Sequence, residues 1–146
     1  MTARPPEVNQ QPYQDIILQH AKSPRGYCQS LERAESVTLA NPVCGDEVTV
    51  MRRWTADGLL ELGFHCQACL LCKASASVMV STLSGLPKEL ATALVQLVQT
   101  TFPSSGQDLP PNISGDLVAL YDLRRYPTRA QCVLLPWDAI TKLLYN

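Results

Sequence analysis

No apolar run in this chain approaches the ~18 residues that a membrane-spanning helix needs. The runs present are short strings such as Ala68–Leu71 and Val78–Val80. Charge of either sign is also missing as a surplus: 12 basic and 13 acidic residues give a formal net charge of −1. That excludes the basic footprint of a nucleic-acid binder, and no basic amphipathic stretch suggests a membrane surface. The opening residues, Met1–Gln11, are polar and carry prolines, without the apolar centre of a secretory signal. They read as a disordered leader, and a cytoplasmic location is expected. No internal repeat is visible.

Six cysteines stand against this plain background: Cys28, Cys44, Cys66, Cys69, Cys72 and Cys132. In a reducing cytoplasm they point to metal or sulfur chemistry rather than to disulfides. The chain has 146 residues, enough for one domain, read here as residues 12–146. A domain of that size buries about 68–70% of the surface its unfolded chain exposes. It therefore needs neither metal nor disulfide merely to fold. Hydrophobic residues at 46% and charged residues at 17% exclude general disorder.

The pattern begins with a helix over Pro12–Lys22, in which Tyr13, Ile16, Ile17 and His20 share one face. Ser23-Pro24-Arg25-Gly26 ends it. Three strands follow: Ser36–Ala40, Glu47–Trp54 with Val48, Val50 and Arg52 alternating against Thr49, Met51 and Arg53, and Leu59–His65. Ala56-Asp57-Gly58 supplies a hairpin turn. The period then becomes helical over Leu70–Ser84, with small residues Ala74–Ser77 at its middle. Gly85 closes that helix and Pro87 opens the next, which runs to about Thr101. Pro103–Ser114 reads as a loop, Asp116–Leu123 as a short helix, Arg124–Arg129 as a basic loop, and Gln131–Leu144 as a final helix that Pro136 either distorts or starts. The expected fold class is α+β, a three-stranded antiparallel sheet with helices gathered on one face.

The surroundings of the cysteines matter more than their number. Cys44 lies in the turn Asn41-Pro42-Val43-Cys44-Gly45-Asp46, where a thiol and a carboxylate two residues apart can both ligate zinc. This segment alone is equally compatible with a plain turn. Cys69 and Cys132 open helices, whose N-terminal ends favour thiolate over thiol. Arg129 is placed to depress the Cys132 pKa further. Cys66, Cys69 and Cys72 form a C-x2-C-x2-C string, but the fourth cysteine and proline of a ferredoxin motif are absent. Cys72 reads as helix packing and Cys28 as incidental. His20 reads as a packed residue, and His65, at a strand end, is a possible ligand.

These motifs together resemble the U-type iron–sulfur cluster assembly proteins, the family of IscU, SufU and the N-terminal domain of NifU. The likeness runs from about Tyr13 to Leu144. It rests on Tyr13–His20 with Ser23-Pro24-Arg25, on Asn41-Pro42-Val43-Cys44-Gly45-Asp46, on Cys69 before Ala74-Ser75-Ala76-Ser77, and on Pro127-Thr128-Arg129-Ala130-Gln131-Cys132 before Trp137. The 63 positions between Cys69 and Cys132 look like the SufU branch, as does Arg129. The chain has Gln131 where IscU has a histidine, and it lacks the Leu-Pro-Pro-Val-Lys segment by which IscU docks its chaperone. Cys66 and Cys72 are additions to the family pattern.

The resemblance implies a SufE/NifU-like fold and a site of Cys44, Asp46, Cys69 and Cys132, holding zinc at rest and a transient iron–sulfur cluster in use. It implies a cysteine desulfurase as sulfur donor and apo iron–sulfur proteins as recipients. Cys132, assisted by Arg129, and Cys44 are the two candidate sulfur acceptors, with Cys132 preferred for its flexible preceding loop. Whether the chain is a scaffold or a zinc-dependent sulfurtransferase stays open at this point. So do two other readings: a structural zinc protein that regulates a desulfurase, and a carrier of a stable cluster.

Overall fold

The computed structural model describes residues 11–28, 30–104 and 108–145. The expected leader, residues 1–11, lies outside the described residues except for Gln11, the first residue of helix α1 (Gln11–Lys22). Strands β1 (Glu35–Asn41), β2 (Asp46–Trp54) and β3 (Leu60–Gln67) follow, then helices α2 (Leu70–Leu83), α3 (Lys88–Thr101), α4 (Asp116–Asp122) and α5 (Ala130–Leu144). The stretch read as a basic loop forms two short 3-10 turns, Leu123–Arg125 and Pro127–Arg129. Turns of this length leave no periodic trace in a sequence. No helix among the described residues is long and apolar enough to cross a membrane.

The sheet is an antiparallel meander in the order β1-β2-β3. Its register places Asn41 opposite Asp46 and Val48 opposite Cys66, so the β1–β2 turn and the end of β3 meet at the same end of the sheet. Alternation decides the buried face. Val48, Val50 and Arg52 of β2 are buried, as are Leu60, Leu62 and Phe64 of β3. Helix α5 packs over β1 and β2. The fold class is α+β, as the order of periodicities indicates.

Helix α2 is the central element, almost wholly buried from Ala74 to Val80. A helix that is apolar all round belongs inside, yet α2 carries two fully buried serines. Each fastens a different helix. Ser75 Oγ donates to the Val133 carbonyl (2.6 Å) and accepts from Trp137 Nε1 (3.0 Å), which clamps α5 against α2 beside Cys132. Ser77 Oγ accepts from the Arg25 amide (2.8 Å) and lies 2.6 Å from His20 Nδ1, while His20 Nε2 lies 2.7 Å from Asp116 Oδ2. One hydroxyl thus ties α2 to α1 and, through His20, to α4. Burial is affordable because each polar group has a partner.

Helix α5 continues through Pro136 from Ala130, so the proline does not mark its start. Proline has no N–H, so the rung that would end on the Cys132 carbonyl is missing. The neighbouring Val133 carbonyl is the one that Ser75 engages. The turn that carries Cys132 is thus held by α2 as well as by its own helix.

Ser75→Ala leaves the buried Trp137 N–H and the Val133 turn without this partner. A buried unsatisfied group costs roughly 1–3 kcal/mol, and the variant is expected to lose about 2 kcal/mol of stability in urea denaturation. An unchanged midpoint and slope would show that the clamp does not hold α5.

Candidate metal centre

The turn Asn41–Asp46 is built by its own side chains. Asn41 accepts the Val43 amide on Oδ1 (3.0 Å) and the Gly45 amide on its carbonyl (2.8 Å). Gly45 takes φ +77°, a left-handed conformation that favours glycine, and this turns the chain into β2 directly after Cys44. Asn41 also donates from Nδ2 to Gln131 Oε1 (3.2 Å), fastening this turn to the start of α5 one residue before Cys132.

Asp46 is the buried member, 4% exposed. Its Oδ1 accepts the Cys69 amide (2.8 Å) at the N-terminal boundary of α2, and its Oδ2 accepts the Cys69 thiol (3.3 Å). A carboxylate is favourable there because a helix N-terminus presents free N–H groups and partial positive charge. Burial pushes the Asp46 carboxyl up, but hydrogen bonds from the Cys69 amide and from the Cys132, Cys69 and Cys44 thiols outweigh it. The carboxyl lies below its ordinary range.

Ligand atoms of Cys44, Asp46 and Cys132 all lie within 4.8 Å of one another. Cys69 reaches the cluster through its two bonds to Asp46. Three thiols from three separate segments thus gather around one carboxylate. Tetrahedral zinc with bonds of about 2.3 Å to sulfur separates its ligands by roughly 3.8 Å, so a small contraction suits Cys44, Asp46 and Cys132, while Cys69 lies outside that mutual range. Three sulfurs and one oxygen match zinc and iron–sulfur chemistry rather than magnesium or calcium.

The thiols differ in access. Cys44 is exposed on the turn, Cys69 is exposed, and Cys132 is half-buried. The expectation of a thiolate at Cys132 is reversed without metal. Burial pushes this thiol well up, and the hydrogen bond to Asp46 and the charge of Cys69 push it further. The helix-end effect is outweighed by neighbours the sequence does not place. Arg129 is exposed, with its guanidinium 5.6 Å from the centre of the Tyr126 ring. His65 is exposed on β3 and lies outside the cluster. Cys72 is fully buried in the core, and burial pushes its thiol up.

The first residue beyond each of two thiols, or before it, is apolar and open to solvent: Val43 is 88% exposed beside Cys44, and Leu70 is 50% exposed beside Cys69. Tyr126, ahead of Arg129 and Cys132, is 41% exposed. A cavity of about 350 Å³ runs from Leu70 past Tyr13, Leu18 and Tyr126 to Arg129. Sequence reasoning missed this apolar rim, because solitary apolar residues in loops carry no period.

A fold of this topology with a thiol-and-carboxylate cluster at the β1–β2 turn, the start of α2 and the start of α5 defines a class of small metal- and sulfur-handling proteins. Residues 12–140 match the family described as the NifU-like N terminal domain, and the chain belongs to that family. It is 29% identical over 133 residues to the "Iron-sulfur cluster assembly scaffold protein IscU" of Streptococcus pyogenes serotype M1, covering 90% of this chain and 82% of that one. It is 30% identical over 131 residues to the "Zinc-dependent sulfurtransferase SufU" of Bacillus subtilis (strain 168), covering 89% and 87%. Among solved structures, a putative iron–sulfur cluster assembly scaffold protein for the SUF system from Fervidobacterium islandicum AW-1 superposes with a TM-score of 0.72 at 26% identity, over 89% of this chain and 94% of that one.

The depressed Asp46 carboxyl has a consequence for metal-free protein. A carboxyl lower in the folded chain than in the unfolded one adds stability above the unfolded value of about 4, and that stability is lost as pH falls through the folded value. Asp46→Asn is therefore expected to be less stable than the parent at pH 7 in the presence of a chelator, with the gap closing below about pH 4. Denaturation curves across pH check this, and a gap that stays constant to acid pH contradicts it.

Proposed function

We propose that this chain is an iron–sulfur cluster assembly protein of the SufU-like kind, which accepts sulfane sulfur from a cysteine desulfurase. Cys44, Asp46, Cys69 and Cys132 hold zinc at rest, and the same residues take an iron–sulfur cluster as transient cargo for apo iron–sulfur proteins. The observation that carries this reading is the buried Asp46 carboxylate with three thiol-bearing segments drawn to it. The relatives named as a scaffold and as a zinc-dependent sulfurtransferase support it.

Zinc, when bound, would keep these thiols deprotonated near neutral pH, which at Cys132 the surroundings oppose. Asp46 suits a site that has to open. A carboxylate is a harder donor than thiolate and leaves a thiolate-rich metal more readily. Its anchor on the Cys69 amide keeps it in place when it lets go.

Cys44 is the better placed acceptor. It sits at the exposed tip of a glycine-bearing turn, whereas Cys132 is half-buried in the first turn of α5. The Cys44 thiolate attacks the outer sulfur of the donor persulfide. A new sulfur–sulfur bond forms on Cys44, the donor's own bond breaks, and the donor cysteine departs as thiolate. No net oxidation takes place. The exposed apolar residues Val43, Leu70 and Tyr126 form a rim suited to a docking partner.

Supplying desulfurase and cysteine to the zinc-loaded chain is expected to add sulfur to Cys44, read by peptide mass spectrometry, and Cys44→Ser is expected to abolish that uptake. Sulfur on no cysteine of the parent protein would remove the reading. In the same assay Asp46→Ala is expected to prolong the lifetime of a reconstituted cluster, followed by its visible absorption. Loss of all metal binding in that variant would show that Asp46 is not the labile ligand.

A further inference from the structure

The segment Gly26–Cys28 lies along the outer side of β3. Phe64 donates its amide to the Gly26 carbonyl (2.9 Å), and Cys28 donates its amide to the Phe64 carbonyl (2.7 Å). These two bonds make one rung of parallel pairing between Tyr27 and Phe64. The approach depends on Gly26. A Cβ there would meet Val80 Cγ1 at 3.0 Å and the Leu62 carbonyl at 3.3 Å, and the residue takes φ +77°. The Tyr27 and Phe64 rings pack at 5.4 Å, and the Lys73 ammonium lies 4.5 Å from the centre of the Tyr27 ring. Cys28 adopts φ +57°, which few residues other than glycine adopt. It is held in a strained conformation on a pinned segment.

Cys66 stands two residues beyond Phe64 on β3 and is half-buried. Paired strands lie about 4.8 Å apart and rise about 3.3 Å per residue, so the Cα atoms of Cys28 and Cys66 are on the order of 6 Å apart. A disulfide spans about 4.4–6.8 Å. Burial pushes the Cys66 thiol up, the Lys73 ammonium draws it down, and the charges of Asp46, Cys28 and Cys69 raise it. Lys73 is one turn beyond Cys69, with its amide on the Cys69 carbonyl (3.1 Å). The two thiols thus border the metal centre without belonging to it.

We propose that Cys28 and Cys66 form a second thiol site that converts sulfane sulfur from the metal centre into hydrosulfide. This rests on the reading that the centre receives persulfide sulfur. The Cys66 thiolate attacks the outer sulfur of a persulfide on the centre. The new bond forms on Cys66, the old one breaks, and the centre's cysteine leaves as thiolate. The Cys28 thiolate then attacks Cys66 Sγ. The Cys28–Cys66 bond forms, and the outer sulfur leaves as HS⁻. The two thiols give up two electrons, and the sulfane sulfur gains them. A dithiol reductant resets the pair. The site thus supplies the oxidation state of sulfur that an iron–sulfur cluster contains, which the donor persulfide does not.

The test uses the full chain loaded with zinc, with persulfide-loaded desulfurase freed of excess cysteine as sulfur source and no other thiol or reductant present. Expected for the parent are about one equivalent of HS⁻ per chain and a Cys28–Cys66 cross-linked peptide. Cys28→Ser and Cys66→Ser are each expected to cut HS⁻ release at least fivefold while zinc content and sulfur uptake at Cys44 stay unchanged. Cys28→Ser is expected to accumulate persulfide on Cys66. Undiminished HS⁻ from Cys28→Ser, or a persulfidated Cys44 with no Cys28–Cys66 peptide, overturns the proposal and leaves the sulfur-accepting role intact. If no cysteine of the centre takes sulfur, that role itself fails. The pair is then judged alone by treating the zinc-loaded chain with diamide. A Cys28–Cys66 disulfide supports the pair, and its absence overturns it.

Discussion

The site depends on one hydrogen-bonded ion: the Asp46 carboxylate on the backbone N–H of Cys69. This contact joins the first residue of β2 to the boundary of α2 and so fixes the sheet to the central helix. It also gives a buried negative charge the partner it needs, since burying a carboxylate without hydrogen bonds is prohibitively costly. Once Asp46 is placed, Cys44 is carried to it by a two-residue step along the turn, and Cys132 by the clamp that Ser75 places on the next residue of α5. The candidate metal centre is a product of how the layers are fastened rather than an addition to a finished fold.

The same economy explains α2. Its small residues let α1 and α5 approach closely, and its two serines convert that closeness into specific contacts. Apolar packing alone is tolerant of sliding, whereas a buried hydroxyl with one set of partners is not. Cys132 gains a defined position from this arrangement even though Pro136 removes a rung from its helix.

Much of the fold was legible in the residues. The alternation of Val48, Val50 and Arg52 located β2 and its buried face, and the Gly85–Pro87 pair located the boundary between α2 and α3 to within a residue or two. Of the site, the Asn41–Asp46 turn was legible because its chemistry is local. The rest was not, because it rests on contacts between distant residues. His20 could be read as packed, but its partners Ser77 and Asp116 lie 57 and 96 positions away. The state of the Cys132 thiol was misjudged for the same reason: the helix end is visible in sequence, whereas the carboxylate and thiol that oppose it are not. Cys28 looked incidental because nothing local reveals that it lies beside β3.

The proposed centre has four side chains sharing one ion. The most direct measurement is X-ray absorption at the zinc edge on the zinc-loaded full chain. It is predicted to give three sulfurs at about 2.3 Å and one oxygen at about 2.0–2.2 Å. Four sulfurs would bring in a further cysteine and displace Asp46, and a majority of nitrogen or oxygen neighbours would place the metal elsewhere. Either result contradicts a centre built on the Asp46 carboxylate.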